Sequence, residues 1–277
     1  MKKFFATLLA AFLVIAAVNP VTVKAGELLI SPRPADVTVY VTVCDGDVKL
    51  AQTAVKVADI DEDGALTIND ALYLAHEAEF KGGAAAGYGS ANSTWGLSLT
   101  KLWGVENGGS YGYYVNNVSA MGLADPIKDG DYINAFVYTD TVGFSDMYTF
   151  FDVNTVEDYN GKEVTLTLSG AGYDANWNPV TVQVADATVT VDGKKSTFKT
   201  DANGKVTIKV DKKGSHVISA VSEKNTIVPP VCVISAPVKV NPPLTADTAH
   251  TAAVVLLLVA LGGVGVCVFC GKKVNER

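Results

Sequence analysis

The stretch VTVQVADATVTVDGKKSTFKTDANGKVTIKV, residues 180–210, leaves a folding chain few options. Valine, threonine and isoleucine alternate with polar residues at period two, and the runs break at Asp192-Gly193 and Asn203-Gly204. β-Branched side chains lose rotamer freedom in a helix and fit a pleated surface. The Xaa-Gly steps supply the positive φ that tight hairpin turns require. Similar short runs lie on either side, EVTLTLSG at 163–170 and GSHVISAVS at 214–222. Short strands at this spacing predict an all-β sandwich over residues 154–240. Pro229-Pro230 and Pro242-Pro243 stiffen the stretch beyond it.

The preceding residues, 34–153, read differently. VTVYVTV at 37–43 alternates as a strand, Asp45-Gly46 marks a hairpin, and a second strand ends near TAVKVAD at 53–59. Ile68, Ala71, Leu72, Ala75 and Ala78 then fall on one face at helical spacing, and Lys81-Gly82-Gly83 stops the helix. AAAGYGS at 84–90 reads as a flexible linker, and strand runs follow at 96–104, 111–117 and 131–140. This order, with one helix among five strands, predicts an α+β, β-grasp-like domain: a mixed sheet crossed by a single helix.

Between the second strand and that helix lies DIDEDGALTIND, residues 59–70. Calcium takes several oxygen ligands from a compact loop. Asp59, Asp61 and Asp63 stand at positions one, three and five, and Gly64 stands at six, where the turn needs a residue without Cβ. Ala65 at seven offers its carbonyl, Thr67 sits at nine and Asp70 at twelve. These residues are the candidate metal ligands, with Ca2+ as the cofactor and a structural role coupled to folding. A second reading stays open. Thr67 is also a candidate N-cap with Asp70 at N3, in which case the acids merely favour the helix dipole. The loop departs from an EF-hand in having Asp at twelve and a strand before it. In both respects, and in its D-A-L continuation, it resembles a dockerin repeat, although dockerins carry two such repeats and this chain has one. That resemblance implies a protein-docking role.

The ends of the chain frame an exported body. MKKFFATLLAAFLVIAAVNPVTVKA at 1–25 has the basic start, apolar stretch and small-residue close of a secretory signal peptide. Residues 251–270 form an uncharged run long enough for a transmembrane helix, followed by a basic tail at 271–277, which orients the body outside. Residues 241–250 are a Pro-rich linker. Within it, Pro243-Leu244-Thr245-Ala246 resembles, in degenerate form, the sortase motif of Gram-positive surface proteins. Sortase and the membrane are therefore expected partners, and the cell membrane or cell wall is the expected location. The chain carries a net charge of −7. Removing the charges of 1–25 and 271–277 leaves the body at about −12, which excludes nucleic acid as a partner. Cys44 and Cys232 are far apart in the sequence and read as buried thiols, with a disulfide as the alternative.

Residues 35–140 carry a further resemblance. Gly109-Ser110-Tyr111-Gly112-Tyr113-Tyr114-Val115-Asn116-Asn117, then Lys128-Asp129-Gly130-Asp131 and the aromatic run 132–138, resemble the C-terminal domain of transcobalamin, as does Asp70-Ala71-Leu72. The resemblance implies a β-grasp-like fold and a cobamide, glycan or protein ligand. Trp103, Tyr111, Tyr113 and Tyr114 are the candidate ligand-binding aromatics. Tyr113 and Tyr114 are adjacent and point to opposite faces of a strand, so one of them is a core residue. The second half resembles the small immunoglobulin-like sandwiches of bacterial surface proteins, which act as spacers or adhesive units. His76 and His216 lie beside no nucleophile motif and in no metal-ligand spacing, so the expectation is a non-catalytic binding protein, with a purely structural spacer as the alternative.

Overall fold

A computed structural model describes residues 37–236 apart from Asp158, Trp177 and Lys212. The first half opens with β1 (Val37–Asp45) and β2 (Asp47–Val57), a hairpin turned at Gly46, whose φ is +65°. The helix α1 (Ile68–Glu79) follows, then a short helix α2 (Gly83–Gly87) and the hairpin of β3 (Gly89–Ser93) and β4 (Gly96–Lys101). β5 (Tyr111–Val115), β6 (Val118–Ser119) and β7 (Tyr132–Val137) complete this half. The sheet runs β2-β1-β7-β5-β6, with β1 and β7 parallel at its centre. Val39, Val41 and Val43 project from β1 into a core with Ile68 and Leu72 of α1 and Ile133 and Ala135 of β7. The alternate residues serve the other face, where Tyr40 stacks on Tyr132 at 4.8 Å and Cys44 is buried.

The second half holds β8 (Met147–Phe151), β9 (Thr155–Val156), β10 (Val164–Tyr173), β11 (Pro179–Gln183), β12 (Thr188–Val191) and β13 (Lys194–Lys199). β14 (Lys205–Ile208), β15 (Ser215–Val221), β16 (Ile227–Val228) and β17 (Cys232–Ser235) follow. One sheet runs β11-β10-β8-β16 with β14 also on β10, and the other runs β13-β12-β15-β17-β9. Leu166, Leu168, Val189, Ile208, Ile218 and Ile234 fill the space between them. β8, which the sequence places within 34–153, pairs with β10 and so belongs to the second half by hydrogen bonding.

A third apolar cluster joins the halves: Cys44 and Phe136 from the first pack with Tyr148 and Val228 from the second. Tyr114 lies face to face with Tyr148 at 3.7 Å and 9°. Gln52 Nε2 donates to the Val231 carbonyl at 3.0 Å, and the Cys44 thiol donates to the Pro229 carbonyl at 3.6 Å. Cys44 and Cys232 are free, buried thiols, and burial pushes each up to about 12, which leaves them unreactive.

The expected α+β class does not hold. The described residues are 49 % strand and 9 % helix, which makes this part of the chain mostly β. The reason lies in the periodicity: helical spacing of apolar residues is sustained only over α1, while alternating runs recur on both sides of it. The linker expected at 84–90 also differs, because α2 and the start of β3 occupy it. On α1 itself Ala78 is exposed, and His76, one turn beyond Leu72, takes the buried position instead.

The expected membrane span and the membrane or wall location drawn from it are not upheld. No helix among the described residues is long and apolar enough to cross a membrane. The 12 residues of α1 rise about 18 Å, short of the bilayer core, and carry Asp, His and Glu. Residues 251–270, the leader at 1–25 and the sortase-like motif lie outside the described residues.

Candidate functional site

The acidic loop leaves the end of β2 and turns back into α1. Glu62 and Gly64 adopt positive φ, +59° and +89°, which curls the loop around its own carboxylates. Asp59 accepts the Asp63 N–H at 3.2 Å and the Gly64 N–H at 2.9 Å, and Asp63 accepts the Ala65 N–H at 2.8 Å. The curl gathers one carboxylate oxygen from each of Asp59, Asp61 and Asp63 within 4.8 Å of one another. Asp61 is held above the usual carboxylate range, first by partial burial and then by the charges of Asp70 and Asp63.

Asp70 is fully buried and does not belong to that trio. Its Oδ1 accepts the Ile60 N–H at 3.0 Å, and its Oδ2 accepts the Thr67 N–H at 2.8 Å and the Thr67 hydroxyl at 2.7 Å. Thr67 and Asp70 thus form a capping box at the start of α1. The remaining N–H groups of the first turn find backbone partners. Ile68 donates to the Asp125 carbonyl at 3.2 Å, Asn69 to that of Leu123 at 2.9 Å, and Ala71 to that of Thr67 at 3.2 Å. The helix start is therefore stitched to the 123–127 segment, and the loop hangs from two fixed points, Val57 and Thr67.

Asn69 is a site residue that the sequence reading passed over. Its Nδ2 donates to Asp61 Oδ2 at 3.3 Å, and its Oδ1 accepts the Tyr88 hydroxyl at 2.7 Å. It is buried beside an exposed acid, and its place one residue before Asp70 was the available signal.

The four candidate ligand aromatics divide between two clusters, Trp103, Tyr111 and Tyr113 against the first core and Tyr114 at the joint. Trp103 lies in a turn against His76 and Phe80, with ring centroids at 5.1 and 5.3 Å. The Tyr111 hydroxyl lies 2.9 Å from the Thr100 carbonyl and 2.8 Å from that of Val105, and accepts the Asn107 N–H at 3.2 Å. Tyr111 and Tyr113 pack on the first core, whereas Tyr114 faces the joint between the halves. An open groove of about 300 Å³ between β2 and α1 is lined by Val55, Leu74, Ala78 and neighbouring residues, and by none of these four aromatics.

No family model, no curated protein and no solved structure matches the chain.

Proposed function

We propose that this is a non-catalytic binding protein whose 59–70 loop takes Ca2+ as a structural brace. The observation that carries the reading is the approach of the Asp59, Asp61 and Asp63 carboxylates to within 4.8 Å, with Asp61 held above its usual range first by desolvation and then by the charges of Asp70 and Asp63. Like charges gathered on a tight curl raise the free energy of the loop, and a hard divalent cation with oxygen ligands relieves it. The donor set suits calcium: side-chain oxygens of Asp59, Asp61 and Asp63, with the Ala65 carbonyl at the seventh position. Asp70 would contribute through the lone pairs that its cap contacts leave free. When bound, the ion neutralises the carboxylates and ties the end of β2 to the start of α1.

A second reading has its own observation. The Thr67–Asp70 capping box already engages both residues, so the loop can serve as an acidic helix start alone. Titration calorimetry of the full chain with calcium, in parallel with Asp61→Asn, separates the two. Saturable binding that the substitution abolishes supports the brace. No heat at millimolar calcium leaves the helix start.

A further inference from the structure

His76 is the one fully buried imidazole among the described residues, and its two ring nitrogens face groups of opposite kind. Nδ1 lies 2.6 Å from the Leu72 carbonyl, which only accepts, so Nδ1 carries the proton. Nε2 lies 3.1 Å from the Trp103 backbone nitrogen, which only donates, so Nε2 presents its lone pair. The two contacts admit only the neutral ring with its proton on Nδ1. A second proton would set an N–H at Nε2 against the Trp103 N–H, and that bond would be lost.

What Nε2 holds is a turn that resists holding itself. Leu102 and Val105 exchange backbone bonds at 3.1 and 2.9 Å across Trp103-Gly104. The φ values at those two residues are +50° and +80°. Both central residues of such a turn need the left-handed region, which suits Gly104 and is sterically unfavourable for a bulky Trp103. The two N–H groups that the turn leaves unpaired are satisfied from outside: Gly104 donates to the Gly87 carbonyl at 2.9 Å, and Trp103 donates to His76.

We propose that His76 is an acid-released latch on the Trp103-Gly104 turn: protonation breaks the Nε2 contact, and the turn loosens to uncover the Trp103 and Phe80 rings. The surroundings leave an imidazolium uncompensated. From α1, Glu77 turns its carboxylate to the Ala84 N–H at 2.9 Å. From the α2–β3 connection, the Tyr88 phenol donates to Asn69 and stays protonated through burial. Phe80 and Trp103 bring only rings, and on the strand leading to the turn Lys101 is paired with Glu106 at 2.8 Å. Burial also pulls the imidazole below its ordinary range, so release belongs to pH below that range and not to neutral pH. The latch stands apart from the calcium reading and does not depend on it.

Amide hydrogen exchange of the full chain, corrected for the intrinsic pH effect and resolved at Trp103 and Gly104, tests this. The His76 ring nitrogens are followed by NMR over the same range, from about pH 7.5 to pH 4.5. The expected result is a loss of Trp103 protection of about tenfold or more, tracking the His76 titration, while amides in β1 stay protected. His76→Gln, whose amide oxygen can accept the Trp103 N–H without titrating, should flatten the response. Trp103 protection that stays constant while His76 titrates overturns the proposal. So does a His76 that takes up no proton before the whole chain unfolds. If the variant does not fold, the wild-type comparison decides alone.

Discussion

The Thr67 hydroxyl and the Asp70 carboxylate cap one another at 2.7 Å, and both are buried. The last acid of the loop thereby holds the start of α1 through its Oδ2, and its Oδ1 holds the Ile60 N–H. Thr67→Ala removes the side-chain acceptor for the Asp70 N–H and one donor to Asp70 Oδ2, and should cost about 1 kcal/mol. Urea unfolding of the variant checks this as a lowered midpoint at unchanged slope.

The Asp61 carboxyl gives the pH dependence of the loop. Its affinity for a proton is raised in the folded state, by burial and then by Asp70 and Asp63. A carboxyl raised in this way contributes stability at low pH that is lost as pH rises through the folded value. Melting without calcium should therefore show a decline as pH climbs above the ordinary carboxylate range. Saturating calcium should cancel the decline, and Asp61→Asn should remove both effects.

Asp140 works with the opposite sign. The Gly143 N–H, the Ser145 hydroxyl and the Val142 N–H hold it down to about 2. Its contribution is full above the ordinary carboxylate value and is lost as pH falls toward about 2. Asp140→Asn should make the acid limb of the stability curve less steep, as read by thermal melting between pH 5 and pH 2.

The joint between the halves rests on Tyr148, which stacks on Tyr114 and donates its hydroxyl to Asn117 at 2.8 Å. Tyr148→Ala leaves a cavity among Cys44, Phe136 and Val228 and should cost about 3–5 kcal/mol. Calorimetry should then resolve two transitions in place of one, because the two larger cores are intact and only their shared cluster is lost.

The strands were the legible part of this chain. The alternation at 37–43 and 180–210 is direct, since each β-branched residue reports which face it occupies, and the Asp-Gly and Asn-Gly steps mark their own turns. The fold class was not legible from those runs. One well-spaced helical run points toward an α+β fold, yet among the described residues the helix is a minor element beside seventeen strands. At the candidate site, the closeness of Asp59, Asp61 and Asp63 could be read because a curled loop gathers its side chains by spacing along the chain. Asn69, His76 and the Trp103 turn were hidden because their roles depend on contacts between segments 19 and 27 residues apart. The separation of Tyr114 from Trp103, Tyr111 and Tyr113 has the same cause: strand parity separates neighbours but does not say which face meets the second half.

The central claim is that an ion braces the 59–70 loop, and thermal melting of the full chain in calcium against chelator tests it most directly. The account predicts a higher melting temperature in calcium that rises with concentration, with an added stability of about 2.7 kcal/mol at a hundredfold excess over the dissociation constant, and no rise in Asp61→Asn. Identical melting in millimolar calcium and in chelator would contradict it and leave the loop as an acidic start to α1.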